Sequence, residues 1–141
     1  MLAGGSGPGG SNAVPGSNPT GTGSGINYIG KLAYAQSGAI EVDNNQLSLV
    51  TFQSGTTILK GQVQFFYAES SNDIFMYTVK SNSEIIAQYF VFGPGDTNGE
   101  HLLSNPINLI VPPYTKIQLL AQNVENSNSR KQCATFMGEI I

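Results

Sequence analysis

Short apolar segments separated by polar turns run from about residue 28 to the last residue, and this spacing limits the possible folds more than any other feature. The clearest segments are residues 46–52, 58–68, 74–80, 84–92, 107–111, 116–123 and 132–140. Apolar and polar residues alternate in them over stretches too short for a helical period, which excludes alternating strand–helix folds. Strands separated by roughly 8 to 15 residues are typical of an antiparallel sandwich or barrel, which we predict here.

Two of the predicted strands carry apolar side chains on both faces, although a sandwich strand needs only one buried face. Phe66 follows another phenylalanine, and Tyr89, Phe90 and Phe92 lie within a single strand. Exposed apolar residues that are scattered singly are common on protein surfaces. Because these aromatic residues are clustered, we instead predict that Phe66, Tyr89, Phe90 and Phe92 form oligomer or partner contacts.

A segment rich in Gly, Ser and Pro, residues 1–27, precedes the predicted β-domain of residues 28–141, and the first charged residue is Lys31. Such a segment buries too little apolar surface to offset the entropy of ordering it, so we expect that it does not fold alone. It is either a flexible linker or an extended arm that lies on a neighbouring subunit, and we expect the second. Glycine allows close backbone approach, and proline favours an extended chain. The predicted contact residues of the arm are Met1, Leu2, Val14, Pro15 and Pro19.

The low charge of the chain excludes several kinds of partner. Charged residues make up 11% of the 141 residues, the net charge is −3, and Arg130 and Lys131 are the only adjacent cations. Nucleic-acid binding needs clustered cations, so no direct nucleic-acid contact is expected. No apolar run approaches the ~18 residues of a membrane span, and the first residues do not resemble a signal peptide. A surface poor in charge suits a protein in lasting contact with other proteins.

No combination of residues indicates catalysis or metal binding. His101, the only histidine, is expected in a solvated loop, and the lone Cys133 is expected to be a small buried strand residue that forms no intrachain disulfide. Asp96, Asn98 and Glu100 could supply oxygen ligands to Ca²⁺, but the rest of a calcium-binding loop is absent. The remaining acidic residues mostly flank turns and are expected to be solvated; these are Glu41, Asp43, Glu69, Asp73, Glu84, Glu125 and Glu139. We predict no catalytic, cofactor or metal site, and a protein that is not an enzyme.

The order of segments after residue 46 resembles a known viral family. A strand region LSLVTFQSGTTILKGQVQFFYAES is followed by the hairpin DIFMYTVKSNSEIIAQYF, by NPINLIVPPYTKIQLLAQNVENSN and by the final strand CATFMGEII. This pattern is similar to the small jelly-roll proteins that decorate or cement the capsids of tailed bacteriophages and related viruses. The resemblance covers residues 46–141 and rests on strands and turns, so no site residue can be transferred from the family.

The resemblance implies a single jelly-roll-like antiparallel β-sandwich of about eight strands. It also implies a homotrimer that binds the major capsid protein, with the N-terminal arm reaching over neighbouring capsid subunits. The protein would then be made in the host cytoplasm and reside on the capsid surface of the virion.

Two other functions fit the same pattern. The domain could be a receptor- or glycan-binding head, such as a fibre tip, with surface tyrosines as sugar platforms and residues 1–25 as a tether. It could also be a small jelly-roll capsid subunit, although about 115 residues is few for one.

Overall fold

The structure, a computed structural model, describes residues 25–68, 73–92, 101–103 and 106–141. These residues form antiparallel strands and turns and contain no helix. The eleven strands are β1 (Asn27–Ile29), β2 (Leu32–Gln36), β3 (Ile40–Val42), β4 (Leu47–Gln53), β5 (Leu59–Ala68), β6 (Ile74–Ser81), β7 (Glu84–Phe92), β8 (His101–Leu103), β9 (Ile107–Val111), β10 (Lys116–Asn123) and β11 (Arg130–Ile140).

The strands form two sheets, and their order is that of a jelly roll. One sheet has the order β1-β2-β11-β5-β8, with β3 also paired to β11 and β9 also paired to β5; the other has the order β4-β10-β6-β7. The partners are nested, with β2 and β3 on β11, β4 on β10, β8 and β9 on β5, and β6 on β7. One long hairpin rolled into two layers would pair its strands in this way. The predicted jelly-roll-like sandwich is therefore confirmed.

The predicted number of about eight strands also agrees with the structure. In two places, two short strands together occupy the position of one strand. β2 and β3 occupy successive parts of one edge of β11, while β8 and β9 do the same along β5. With each pair counted once and the short β1 set aside, eight positions remain.

Most predicted strand boundaries agree with the structure, but the shortest strands were missed. The bounds of β7, β9 and β10 are as predicted, and those of β4, β5, β6 and β11 differ by one or two residues. The strands β1, β2, β3 and β8 were not individually predicted. The expectation that His101 lies in a loop was wrong, because it begins β8 and pairs with Ala68 of β5.

The hairpin between β6 and β7 closes the nested set with a two-residue turn. Asn82 and Ser83 both have left-handed backbones, with φ of 50° and 72°. Such turns follow the twist of an antiparallel pair, and asparagine tolerates this conformation better than most residues. The turn is fixed to β10, since Asn82 accepts a hydrogen bond from the backbone N–H of Lys116 at 2.9 Å.

Aromatic side chains from both sheets meet in the core. The Phe52 ring of β4 lies 4.8 Å from the Phe136 ring of β11, and the Phe65 ring of β5 lies 4.5 Å from the Tyr77 ring of β6. All four side chains are at most 1% exposed. Aromatic pairs of this kind contribute about 1 kcal/mol each beyond the area that they bury. The Tyr77 hydroxyl also donates a hydrogen bond to the buried amide oxygen of Gln132, and this bond likewise joins the two sheets.

A bulge in β4 changes which residues face the core. Leu119 of β10 pairs with Val50, but the next residue, Leu120, pairs with Ser48, so Leu49 is an extra residue in β4. Leu49 and Val50 are consequently both buried. The sequence predicted strict alternation here, with Leu49 and Val50 on opposite faces, and that prediction was wrong because a bulge interrupts the alternation.

Two glycines allow the central strands of the larger sheet to approach closely. Gly61 of β5 pairs directly with Gly138 of β11. A Cβ atom on Gly61 would lie 2.2 Å from the backbone oxygen of Met137, and one on Gly138 would lie 2.9 Å from the Phe136 ring. The first contact involves backbone, so it cannot be relieved by moving a flexible side chain.

We expect the substitution Gly61→Ala to destabilise the domain by about 2 kcal/mol, because the added methyl group must push the central strands apart. The measurement is the free energy of unfolding in urea. Gly30→Ala is the matched control: its added Cβ would meet nothing within 4 Å, but φ is +58°. It should lose only the ~1 kcal/mol that a left-handed backbone costs an alanine. Equal losses for the two variants would contradict the close-approach explanation.

Candidate interaction surfaces

The outer face of the four-stranded sheet is apolar at its β7 edge. The register places Ile74 opposite Phe92 and Met76 opposite Phe90. Phe90 and Phe92 are 51% and 67% exposed, while Ile74 and Met76 are half-buried. Directly opposed side chains on an antiparallel pair contact one another. These four residues therefore form one continuous surface, which we call the β6–β7 patch.

Uncharged polar groups border the β6–β7 patch. Gln88 follows on β7, and its amide nitrogen donates a hydrogen bond of 3.1 Å to the hydroxyl of Thr78. On β10, Gln122 lies opposite Met76 and donates to the backbone oxygen of Asn44 at 3.0 Å. Because these bordering side chains have no charge, a partner that covered the patch would not bury an unpaired ion.

The predicted contact residues of the β-domain do not form one surface. Phe90 and Phe92 lie in the β6–β7 patch, whereas Phe66 is on the outer face of the other sheet and pairs with Cys133. Tyr89 faces inward, and its ring lies 5.5 Å from the ring of Tyr77. The alternation of the strand thus places Tyr89 on the core side, whereas Phe90 and Phe92 face outward.

The remaining predicted contacts lie outside the described residues. These are Met1, Leu2, Val14, Pro15 and Pro19 of the arm, and the same holds for the calcium-ligand candidates Asp96, Asn98 and Glu100. The described structure begins shortly before the predicted domain boundary at residue 28. Ile26 is completely buried in the core and Asn27 begins β1, so these two residues pack with the β-domain.

A second surface lies on the outer face of the seven-stranded sheet. A depression of about 610 Å³ there is lined by residues of β5, β9 and β11: Lys60, Gly61, Gln62, Asn108, Leu109, Ile110 and Glu139. Lys60 lies directly between Glu139 and Ile110 in the register, and Gln62 donates a hydrogen bond of 3.2 Å to the Asn108 side-chain oxygen. The depression thus combines one cation, one anion and two amides with an apolar side chain.

The lone cysteine lies on this same outer face. Cys133 is half-buried, between Gln132 and Ala134, which are both completely or almost completely buried. The prediction that Cys133 is in a strand is confirmed. The prediction that it is buried was wrong, because it occupies the outward position of the alternating strand β11.

The loop between β9 and β10 presents an aromatic residue at one end of the sandwich. Tyr114 is 76% exposed and has a left-handed backbone with φ of 55°. The buried Ser54 holds this loop in place, since its hydroxyl donates to the Pro112 oxygen at 2.6 Å and accepts from the Thr115 N–H at 3.1 Å. Tyr114 itself donates its backbone N–H to the Gly55 oxygen at 2.6 Å. The tyrosine is therefore displayed on a fixed loop.

A buried ion pair orders the opposite end of the sandwich. The Asp73 side chain is 2% exposed, and one of its oxygens accepts a hydrogen bond of 2.6 Å from Nε of Arg130. The other oxygen accepts from the Asn126 amide at 3.2 Å, and the amides of Asn123 and Asn128 lie 3.5 Å from it. The expectation that Asp73 is solvated was wrong. Its carboxylate instead connects the start of β6 to the β10–β11 loop and to the start of β11.

The groups around Asp73 are of the kind that hold a buried carboxylate in place. Its carboxylate faces a cation and three amide donors, and all of these stabilise a negative charge. Within the described residues, no group of three or more His, Cys, Asp or Glu side chains is placed to hold a metal ion. The described part of the chain also has no helix with the length and apolar character needed to cross a membrane.

No protein-family model matches the chain, and no curated protein is similar to it. Solved structures that match the chain include several from infectious bursal disease virus. The Gx strain structure matches with 14% identity and a TM-score of 0.46 over 76% of this chain and 32% of that chain. The VP2 subviral particle matches with 17% identity and a TM-score of 0.39 over 78% of this chain and 30% of that chain. The Gt strain structure matches with 16% identity and a TM-score of 0.32 over 85% and 34%.

The chain thus spans about a third of the length of each of these viral proteins.

We expect Arg130→Met to destabilise the domain by about 2 kcal/mol, because it leaves the buried Asp73 carboxylate without its cation. This value is below the usual cost of breaking a buried pair, since the Arg130 side chain is itself 31% exposed. Urea unfolding measures the loss. Lys131→Met is the control, because Lys131 is an exposed neighbouring cation, and it should change stability by less than ~0.5 kcal/mol. A similar loss for both variants would show that general charge, not the Asp73 pair, matters.

Proposed function

We propose that this protein is a structural component of a virus particle that decorates or cements the capsid. It binds the major capsid protein through the part of its N-terminal arm that precedes the described β-domain, residues 1–24, and through the β6–β7 patch. It acts as a homotrimer on the capsid surface, after synthesis in the host cytoplasm. Its role is binding, without catalysis, a cofactor, a nucleic-acid contact or a membrane contact.

The β6–β7 patch is the observation that carries the proposal. A sandwich needs apolar residues only on the inner face of each sheet, and the core here is already filled by aromatic pairs. Phe90 and Phe92 lie outside that core and are more than half exposed. Aromatic residues are enriched at protein–protein interfaces, whereas charged residues are depleted at their centres. A patch of this composition is suited to a protein partner.

The fold and composition support a particle-associated role. Jelly-roll sandwiches recur in viral capsid and lectin domains, which is an analogy at the level of fold. Only 11% of the residues are charged, so most of the surface can approach another protein without burying an ion. The arm adds a long segment without charge, whose glycines allow it to lie close to another backbone.

A receptor- or glycan-binding head is the second candidate, and the depression on the seven-stranded sheet favours it. Its volume of about 610 Å³ and its convergent polar groups are suitable for a small polar ligand. If this function is correct, the β-domain alone should give a signal on a glycan array, and Lys60→Ala should abolish it. The capsid proposal expects no such signal.

Particle binding tests the capsid proposal directly. Deletion of residues 1–24 and the double substitution Phe90→Ser with Phe92→Ser should each weaken binding by about tenfold or more, since aromatic anchors dominate interface energies. The measurement is co-sedimentation with capsids of the encoding virus prepared without this protein.

The matched control for the double substitution is Ile110→Ser with Met137→Ser. These two residues are 62% and 64% exposed and lie on the outer face of the other sheet. This control should bind particles as well as the unmodified protein does. Unchanged binding by both the deletion and the patch variant would overturn the proposal.

A further inference from the structure

The strand β7 is the least protected edge in the described part of the fold. It runs over nine residues, and no described strand pairs with its outer side. The other sheet ends in the short strands β1, β8 and β9, of three, three and five residues. Short edge strands resist pairing with another chain, whereas a long apolar edge invites it.

Both long edges of this sheet contain a bulge, at Leu49 in β4 and at Ile86 in β7, but β4 is protected in two further ways. The edge strand β4 is interrupted by the bulge at Leu49 and carries polar outward residues, Ser48 and Thr51. The backbone of Gly25 also lies against it, because a Cβ on Gly25 would be 2.4 Å from the Thr51 oxygen. Bulges and covering segments are ways in which natural proteins prevent edge pairing.

The composition of β7 shows what kind of partner fits it. From Ala87 to Phe92 the strand has no bulge, no charged residue and no proline, so nothing in this stretch opposes pairing. If two copies paired antiparallel, no like charges would be brought together within it.

We infer that β7 pairs antiparallel with β7 of a second copy of this chain and joins two four-stranded sheets across a two-fold axis. Such a contact is isologous, since the same strand serves both partners. It goes beyond the proposed capsid function and does not depend on it. On a particle it would connect neighbouring trimers, and in solution it would pair free subunits.

The bulge in β7 limits where the axis can lie. Val79 pairs with Ala87 but Lys80 pairs with Ile85, so Ile86 is the extra residue and the regular segment begins at Ala87. Directly opposed residues of an antiparallel pair point to the same face. One residue of β7 must therefore lie opposite its own copy. We place the two-fold axis near the middle of β7, so that this residue is Gln88, Tyr89 or Phe90.

Single cysteines test this geometry in a Cys133→Ser background, which removes the only natural thiol. Gln88→Cys, Tyr89→Cys and Phe90→Cys are each oxidised mildly and run on a denaturing gel. One of the three should form a covalent dimer, since opposed strand residues have the Cα separation that a disulfide needs. Thr51→Cys, exposed on the outer face of the opposite edge strand, should remain monomeric on the gel. Absence of dimer from all three β7 variants would overturn the inference.

A charged substitution tests the β7 contact without cross-linking. Gln88→Lys places a cation on the exposed edge and should weaken self-association by at least about tenfold, because the lysines of the two copies come together at or near the two-fold axis. In sedimentation at up to roughly 100 μM protein, the mass of the largest species should then halve. Thr51→Lys should leave that mass unchanged. Equal masses for the unmodified protein and Gln88→Lys would count against β7 pairing.

These experiments distinguish failure of the capsid function from failure of the β7 contact. Loss of particle binding by the patch variant, with normal cross-linking through β7, would support the capsid function and the two-fold contact together. Normal particle binding without any β7 cross-link would leave the capsid function standing and remove only the two-fold contact. If Gln88→Lys abolished particle binding while no β7 cysteine cross-linked, β7 would face another protein and the inference would be wrong.

Discussion

The ladder between β5 and β11 is the interaction on which the rest of this domain depends. It joins nine residue pairs from the middle of the chain and its final strand, and it runs through the centre of the larger sheet. Every other strand of that sheet except β1 is paired directly to one of these two strands. The inward side chains Phe65 and Phe136 then meet Tyr77 and Phe52 of the facing sheet. The position of the second sheet is thus set by side chains on the ladder.

The surfaces follow from the same alternation that fills the core. When a strand carries apolar residues at consecutive positions, one set enters the core and the other must face outward. On β7 this places Tyr89 inside and Phe90 outside. The β6–β7 patch and the depression near Lys60 lie on the outer faces of different sheets. The domain therefore has separate outer surfaces on its two sheets, and no described strand pairs with the outer side of β7.

The sequence was sufficient to predict long, regularly alternating strands but not the features that depend on distant partners. The bounds of β7 and β10 were predicted because each has a clear pattern between turn residues. The bulge at Leu49 was not predictable, since it is defined by the register with β10. Short strands such as β1 and β8 have too few residues to show a period.

The candidate surfaces were also predictable only in part, because they too depend on which distant strands become neighbours. The excess of aromatic residues on β7 was visible in the sequence, but the sequence could not show that Phe66 lies on the outer face of the other sheet. Ile74 and Met76 could have been found from their alternation with Phe75 and Tyr77 on β6. The burial of Asp73 could not, because Arg130 and the asparagines reach it from another part of the chain.

The central position of β11 has a consequence for how the protein is made. During translation, β5 and β2 emerge long before the strand that lies between them in the finished sheet. Until β11 leaves the ribosome, both have an unsatisfied hydrogen-bonding edge, and contacts between distant parts of a chain also form slowly. The nascent chain is then most prone to aggregation. A cell that produces many copies would therefore benefit from chaperones that hold the chain until its last strand is available.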